Sequence, residues 1–298
     1  MSSQVATFYL GLLVAVGGAC AMDLEAVYRT VDDAALRLDV VSPEGPGPFP
    51  AVVCLHGGGW SMGNKRSFRE SLDRLATSGY VAAAIQYRLA PRYRFPAQLE
   101  DVREAVRFLR ANATRWKVDR SKVAVMGASA GAHLALLFGF LNAGAADAVQ
   151  AVIDISGPTD LRDWRMNTEV EDSLKKSTGK TTDALLADFL GDSSRSSAII
   201  AEASPVLRVS RAAPPVLIFQ WTEDRAVPSE QAERLANALK KAGVPHEVVW
   251  FEGRGHALNG PGVREIVPRT VKFLNALFGL QAPSTPASSQ APNTRLVP

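Results

Sequence analysis

Six short runs of this chain are apolar at almost every position, and helical spacing fills most of the sequence between them. The runs are AVVCLH (51–56), YVAAAIQYR (80–88), KVAVMG (122–127), AVQAVIDISG (148–157), PPVLIFQW (214–221) and HEVVWFEG (246–253). A strand with one wet face alternates apolar and polar residues, whereas a strand without alternation is covered on both faces. The intervening segments carry amphipathic helices. Leu99, Val102, Val106 and Leu109 share one face of AQLEDVREAVRFLRANA, Phe68, Leu72 and Leu75 share one face over 66–78, and Gly243 closes SEQAERLANALKKAG. Strands of this kind alternating with helices predict an α/β fold, a mostly parallel sheet with right-handed crossovers and helices on both faces. An earlier run, LRLDVVSP, alternates and reads as an early β-strand.

Three regions break this rhythm. The first residues, from Val5 to Met22, carry no charge and end in Ala19-Cys20-Ala21. This pattern reads as a secretory signal peptide, residues 1–21, and predicts a secreted or periplasmic protein with no membrane span after cleavage. A lipid anchor on Cys20 and a retained apolar anchor are the competing readings. Residues of about 161–203 are polar, with short helical patterns and no strand, and read as a small helical cap over one end of the sheet. Residues 282–298, Pro- and Ser-rich, read as a disordered tail. Residues 22–281 are left as one domain.

The 298 residues carry a formal net charge of +3, with Lys and Arg scattered among Asp and Glu. That balance gives no basic stripe for nucleic acid. Loss of residues 1–21 leaves Cys54 as the one cysteine, in a buried-strand pattern, so the chain has no internal disulfide and Cys54 reads as an inert core thiol.

The junction Gly127-Ala128-Ser129-Ala130-Gly131 joins an apolar strand to an apolar helix. A strand that turns sharply into a helix tolerates only small neighbours, and the residue at the tip is left exposed beside the free N–H groups of the helix. Ser129 is therefore the candidate nucleophile. A serine hydroxyl needs a base, and the base an orienting acid. Of four histidines, His256 lies in FEGRGHALNG, directly after the last strand and at the same sheet edge as Ser129. His133 falls within the helix after the serine and reads as core or a local hydrogen bond; His246 opens a strand and reads as surface or edge. Asp224, just after the fifth run, is the candidate acid; Glu223, Asp154 and Asp160 are the alternatives. The sequence HGGGW, His56 to Trp60, follows the first run, and its glycines let backbone N–H groups point inward. Gly58, Gly59 and Ala130 are the candidate donors to an oxyanion, with His56 orienting the loop.

These stretches together, HGGGW, YRLAP, FPAQLEDVREAVRFL, GASAGAHLA and EDRAVP with GRGHA, resemble the α/β-hydrolase serine esterases. The likeness is to the hormone-sensitive-lipase-like branch and to bacterial feruloyl- and acetylxylan-esterase-like enzymes, over about residues 35–278. The elbow GASAGAH lies nearer the feruloyl and acetyl esterases than the G-D-S-A-G-G of the hormone-sensitive-lipase-like members. One departure is Gln220-Trp221, where such enzymes often have His-Gly before the acid. The resemblance implies an α/β-hydrolase fold and a Ser129–His256–Asp224 triad working through an acyl-enzyme. It implies no metal and no cofactor, and a substrate that is a short-acyl or carbohydrate-linked ester. Trp60, Trp164 and Trp221 are candidates to line the pocket. The competing readings are an arylformamidase-like amide hydrolase, an inactive hydrolase-fold binding module, and a lipase, which the polar cap segment disfavours.

Overall fold

The computed structural model describes residues 20–281, so the reading of residues 1–19 and of the tail 282–298 lies outside the described residues. Eight strands form one sheet in the order β1-β2-β4-β3-β5-β6-β7-β8. They are β1 (Ala21–Val31), β2 (Ala34–Ser42), β3 (Phe49–Leu55), β4 (Val81–Ile85), β5 (Val118–Ala128), β6 (Ala151–Ile155), β7 (Val216–Trp221) and β8 (His246–Phe251). From β4 through β8 all neighbours pair in parallel, while β2 pairs antiparallel with both β1 and β4. This is the α/β-hydrolase arrangement. The six apolar runs are the six parallel strands. β1 was not foreseen: only Tyr28 along it is buried, so it lacks the apolar signal of a central strand.

Nine helices accompany the sheet in the described residues: α1 (Arg69–Thr77), α2 (Ala97–Ala111), α3 (Ala113–Trp116), α4 (Ala130–Leu141), α5 (Thr168–Thr178), α6 (Thr182–Leu190), α7 (Ala198–Glu202), α8 (Glu230–Ala242) and α9 (Ile266–Phe278). The pattern read over 66–78 divides into a 3-10 turn at Lys65–Phe68 and α1. Residues of opposite parity on each strand feed two cores. Val53 and Leu55 of β3 pack on the side of α2, α4 and α8, and Val52 and Cys54 on the side of α1 and α9. Cys54 is fully buried, and burial pushes its thiol far up in pKa. α4 is buried on every side up to Phe140, as its unbroken apolar sequence requires.

Between β6 and β7 the chain leaves the sheet for α5, α6 and α7. Asn167 caps α5 by accepting from Glu169 N at 2.9 Å, and Thr181 caps α6 by accepting from Ala184 N at 3.2 Å. α5 has no buried residue, yet Val170 and Leu174, one turn apart, are half-buried. No helix among the described residues is long and apolar enough to cross a membrane.

Candidate active site

Parallel strands end together at one edge of the sheet, and three of them place the candidate residues there. Ser129 follows β5 with φ 54° and ψ −121°, a backbone conformation that side chains with a Cβ rarely adopt. The turn is held by Ser129 N donating to Ile155 O at 2.8 Å. Both flanking glycines are dictated by close backbone approach. A methyl group on Gly127 would lie 2.2 Å from Gly131 O, and one on Gly131 2.1 Å from Leu55 O. The serine is ringed by small residues because the start of α4 lies directly against the ends of β3 and β5.

His256 sits in the loop after β8, and Asp224 in the loop after β7. The Ser129 hydroxyl donates to His256 Nε2 across 2.9 Å, and His256 Nδ1–H donates to Asp224 Oδ2 across 2.7 Å. Asp224 is buried, and its other oxygen accepts from Ala226 N and Val227 N, both at 2.9 Å. The carboxylate is thereby fixed in orientation by its own loop. The alternatives stand elsewhere. Glu223 is exposed beside Arg254, Asp160 is engaged by Arg162, and Asp154 is buried with Gly157 N on its Oδ1 at 2.8 Å. Burial raises Asp154 to about 7.

Gln220, the departure before the acid, reaches back to the same loop. Its Nε2 donates to Val227 O at 2.9 Å and lies 3.4 Å from Asp224 Oδ2. Trp221 does not line the pocket, contrary to expectation. Its ring is fully buried against Phe251, and its Nε1 donates to Pro261 O at 2.8 Å. Methyl groups on Gly255 and Gly260 would fall 2.3 and 2.9 Å from that ring. Strand alternation turns Trp221 to the α9 side of the sheet, where it is the floor of the loop carrying His256.

The HGGGW loop comes within contact of the elbow, since a methyl on Gly57 would lie 3.2 Å from Ser129 Cβ. Gly58 and Gly59 have φ of 114° and 56°. Among the described residues the N–H groups of Gly58, Gly59 and Ala130 make no hydrogen bond, and the three residues line the same cavity as Ser129 and His256. His56 stacks on Tyr87 with centroids 4.2 Å apart, and its Nδ1–H donates to Gly57 O at 2.8 Å. Burial lowers its pKa to about 4, so the ring is neutral.

The cavity has a volume of about 570 Å³. Trp60 and Trp164 are among its lining residues, and the sequence reading missed Met62, Met166, Val170, Leu174, Leu185 and Leu258. The signal was present in the lone apolar pair Val170 and Leu174 on an otherwise charged helix. The cap segment is therefore not polar throughout. α5 faces solvent with its charges and the cavity with an apolar stripe. Among the described residues no Asp, Glu, Lys or Arg lines the cavity, and no cluster suited to a metal ion occurs.

Known proteins share this architecture. The esterase of Pyrobaculum calidifontis is 26% identical with a TM-score of 0.73, covering 87% of this chain and 85% of its own. Esterase Est2 of Thermogutta terrifontis in its propionate-bound form is 28% identical with a TM-score of 0.68, covering 88% and 96%. Esterase LipC of Mycobacterium tuberculosis is 32% identical over 257 residues, 79% of this chain; the chain spans 60% of the length of LipC. The BD-FAE family model matches residues 38–239, more than half of the sequence, in keeping with the resemblance drawn from the motifs. With this match, and with the sheet order and elbow of an α/β-hydrolase, the chain belongs to the BD-FAE family.

Proposed function

We propose that the chain is a serine carboxylic ester hydrolase acting through Ser129, His256 and Asp224. The observation that carries this reading is the unbroken row of hydrogen bonds from Ser129 Oγ through His256 to Asp224, at 2.9 and 2.7 Å. His256 Nε2 takes the Ser129 proton as Oγ attacks the ester carbonyl. Asp224 keeps the other ring nitrogen protonated and stabilises the imidazolium that forms. The carbonyl oxygen becomes negative where the N–H groups of Gly58, Gly59 and Ala130 are free to receive it. His256 then gives its proton to the leaving alcohol, and water activated by the same imidazole cleaves the acyl-enzyme.

The cavity favours an apolar acyl group of short to medium length. A sugar buried there leaves hydroxyls without partners, at about 1–3 kcal/mol each, whereas an alkyl chain meets Met62, Leu185 and the underside of α5. A carbohydrate fits this reading as the alcohol, outside the cavity. The apolar N-terminal segment supports export of the protein, and with it an extracytoplasmic ester.

The test is turnover of nitrophenyl acetate, butyrate and octanoate and of methyl ferulate by protein lacking residues 1–21, beside Ser129→Ala. Wild-type turnover that vanishes in Ser129→Ala is the expected result, with butyrate above acetate. A well-folded wild type inert towards all four overturns the esterase reading, and turnover of N-formylkynurenine by that same protein then selects the amide hydrolase.

A further inference from the structure

His133 is the one histidine of the GASAGAH motif that the proposed chemistry does not use. It is fully buried on the first turn of α4, where its N–H donates to Ser129 O at 3.0 Å. Its ring joins three parts of the molecule. Nε2–H donates to Ala203 O, at the end of α7, across 2.7 Å. Nδ1 accepts from Trp60 Nε1–H across 3.2 Å, and the two rings meet edge to face with centroids 5.0 Å apart. These partners fix the tautomer: a carbonyl requires a proton on Nε2, and an indole N–H requires a lone pair on Nδ1. Burial holds the pKa near 4, so the ring stays neutral and keeps that lone pair.

Trp60 ends the loop that presents Gly58 and Gly59. It has φ 58°, directly after glycines at 114° and 56°. A bulky residue persists there only where its surroundings over-determine it. Four contacts do so. The ring stacks on Phe189 of α6 at 4.4 Å and meets Trp164 edge to face at 5.6 Å, the carbonyl accepts from Ala90 N at 2.9 Å, and the indole N–H is held by His133. The last contact adds a side-chain hydrogen bond from the end of the glycine loop to the helix carrying the nucleophile. A buried indole N–H without an acceptor turns to find one, and the adjoining Gly59 turns with it.

We infer that His133 is a positioning residue for the oxyanion loop, holding Trp60, and through it Gly58 and Gly59, in register with Ser129. The inference rests on the esterase reading above. Its chemical content is an acceptor at the Nδ1 position and not a proton carrier: His133 touches neither substrate nor Ser129 Oγ.

The experiment compares His133→Asn, His133→Leu and Trp60→Phe with the wild type on nitrophenyl butyrate, each normalised to the sites that react with a fluorophosphonate probe. Asn places an oxygen acceptor near the Nδ1 position, Leu places none, and Phe removes the indole N–H while keeping a ring against Phe189. Expected are a kcat about 10- to 100-fold lower in His133→Leu and in Trp60→Phe, with KM within about 2-fold, since one oxyanion donor carries a factor of about 100–1,000. His133→Asn is expected to recover kcat to within about 3-fold, and the double variant to lose no more than either single one. Equal kcat per labelled site in Asn and Leu variants overturns the inference, as does a loss confined to KM or to thermal stability. Should His133→Leu not fold, Trp60→Phe with unchanged kcat overturns it alone. A wild type that neither takes the probe nor turns over the ester removes the esterase reading itself, a different result from any variant pattern.

Discussion

The nucleophile elbow and helix α5 face each other across one cavity and are built in opposite ways. At the elbow, backbone meets backbone: a methyl group on the Cα of Gly131 would lie 2.1 Å from Leu55 O. α5 has no buried residue and is tied down by few contacts, Asn167 N to Arg225 O at 2.8 Å, Glu171 to Thr182 N at 2.7 Å, and the exposed pair of Glu169 with Arg225. On the proposed function, the chemistry is thus placed by the densest part of the sheet edge, and the fit to the acyl group by half-buried side chains on a thin, exposed layer. Position tolerates no change in the first region and much change in the second.

The largest effect expected from this contrast is at the elbow. Gly131→Ala forces β3 and α4 apart, and should lower stability by about 3 kcal/mol or more with loss of turnover; a urea midpoint near that of wild type breaks the argument from close approach. Next comes Asp224→Asn, which keeps the loop but favours the wrong imidazole tautomer. kcat should fall by about 1,000- to 10,000-fold with KM little changed, as measured on nitrophenyl butyrate.

A pH effect separates the elbow from the cap more finely. Asp154 sits at about 7 in the fold, against an ordinary 3.8, because burial disfavours its charge. The folded chain therefore holds a proton that the unfolded chain releases, and the stabilisation from Asp154 is full below about pH 4 and lost as pH rises through 7. Asp154→Asn should gain stability relative to wild type between pH 5 and pH 8, in urea titrations at each pH. Parallel curves refute the assignment. His56 and His133, held near 4 by burial, act with the opposite sign, since their contribution is full above about 6.5 and lost as pH falls through 4.

On the cap the expected effects are smaller and of another kind. Leu174→Ser should raise KM for an octanoate ester about 10-fold with kcat retained, and change stability by less than about 1 kcal/mol. An equal rise for acetate places Leu174 outside the acyl path. Smallest of all, Arg225→Gln breaks the exposed pair with Glu169 and should cost less than about 0.5 kcal/mol, checked by the thermal midpoint at low and high salt.

The sequence alone determined the parallel sheet, because doubly covered strands must be apolar throughout. It also determined the elbow, because close backbone approach leaves Gly127 and Gly131 no substitutes. Ser129, Asp224 and His256 were legible for a related reason: each follows a recognisable strand, and parallel strands deliver their C-terminal ends to one edge. What faces a cavity was not legible. Trp221 and Trp60 are both aromatic, buried and next to a motif, yet strand parity sends one to the α9 side and loop curvature sends the other to the cavity wall. The apolar underside of α5 was hidden among charges for the same reason, since two residues one turn apart acquire a meaning only from what they are folded against. The His133–Trp60 contact spans 73 residues of chain. Spacing along a sequence sets which face of an element is apolar, while the packing of one element on another decides what that face meets, and only the tertiary structure holds that information.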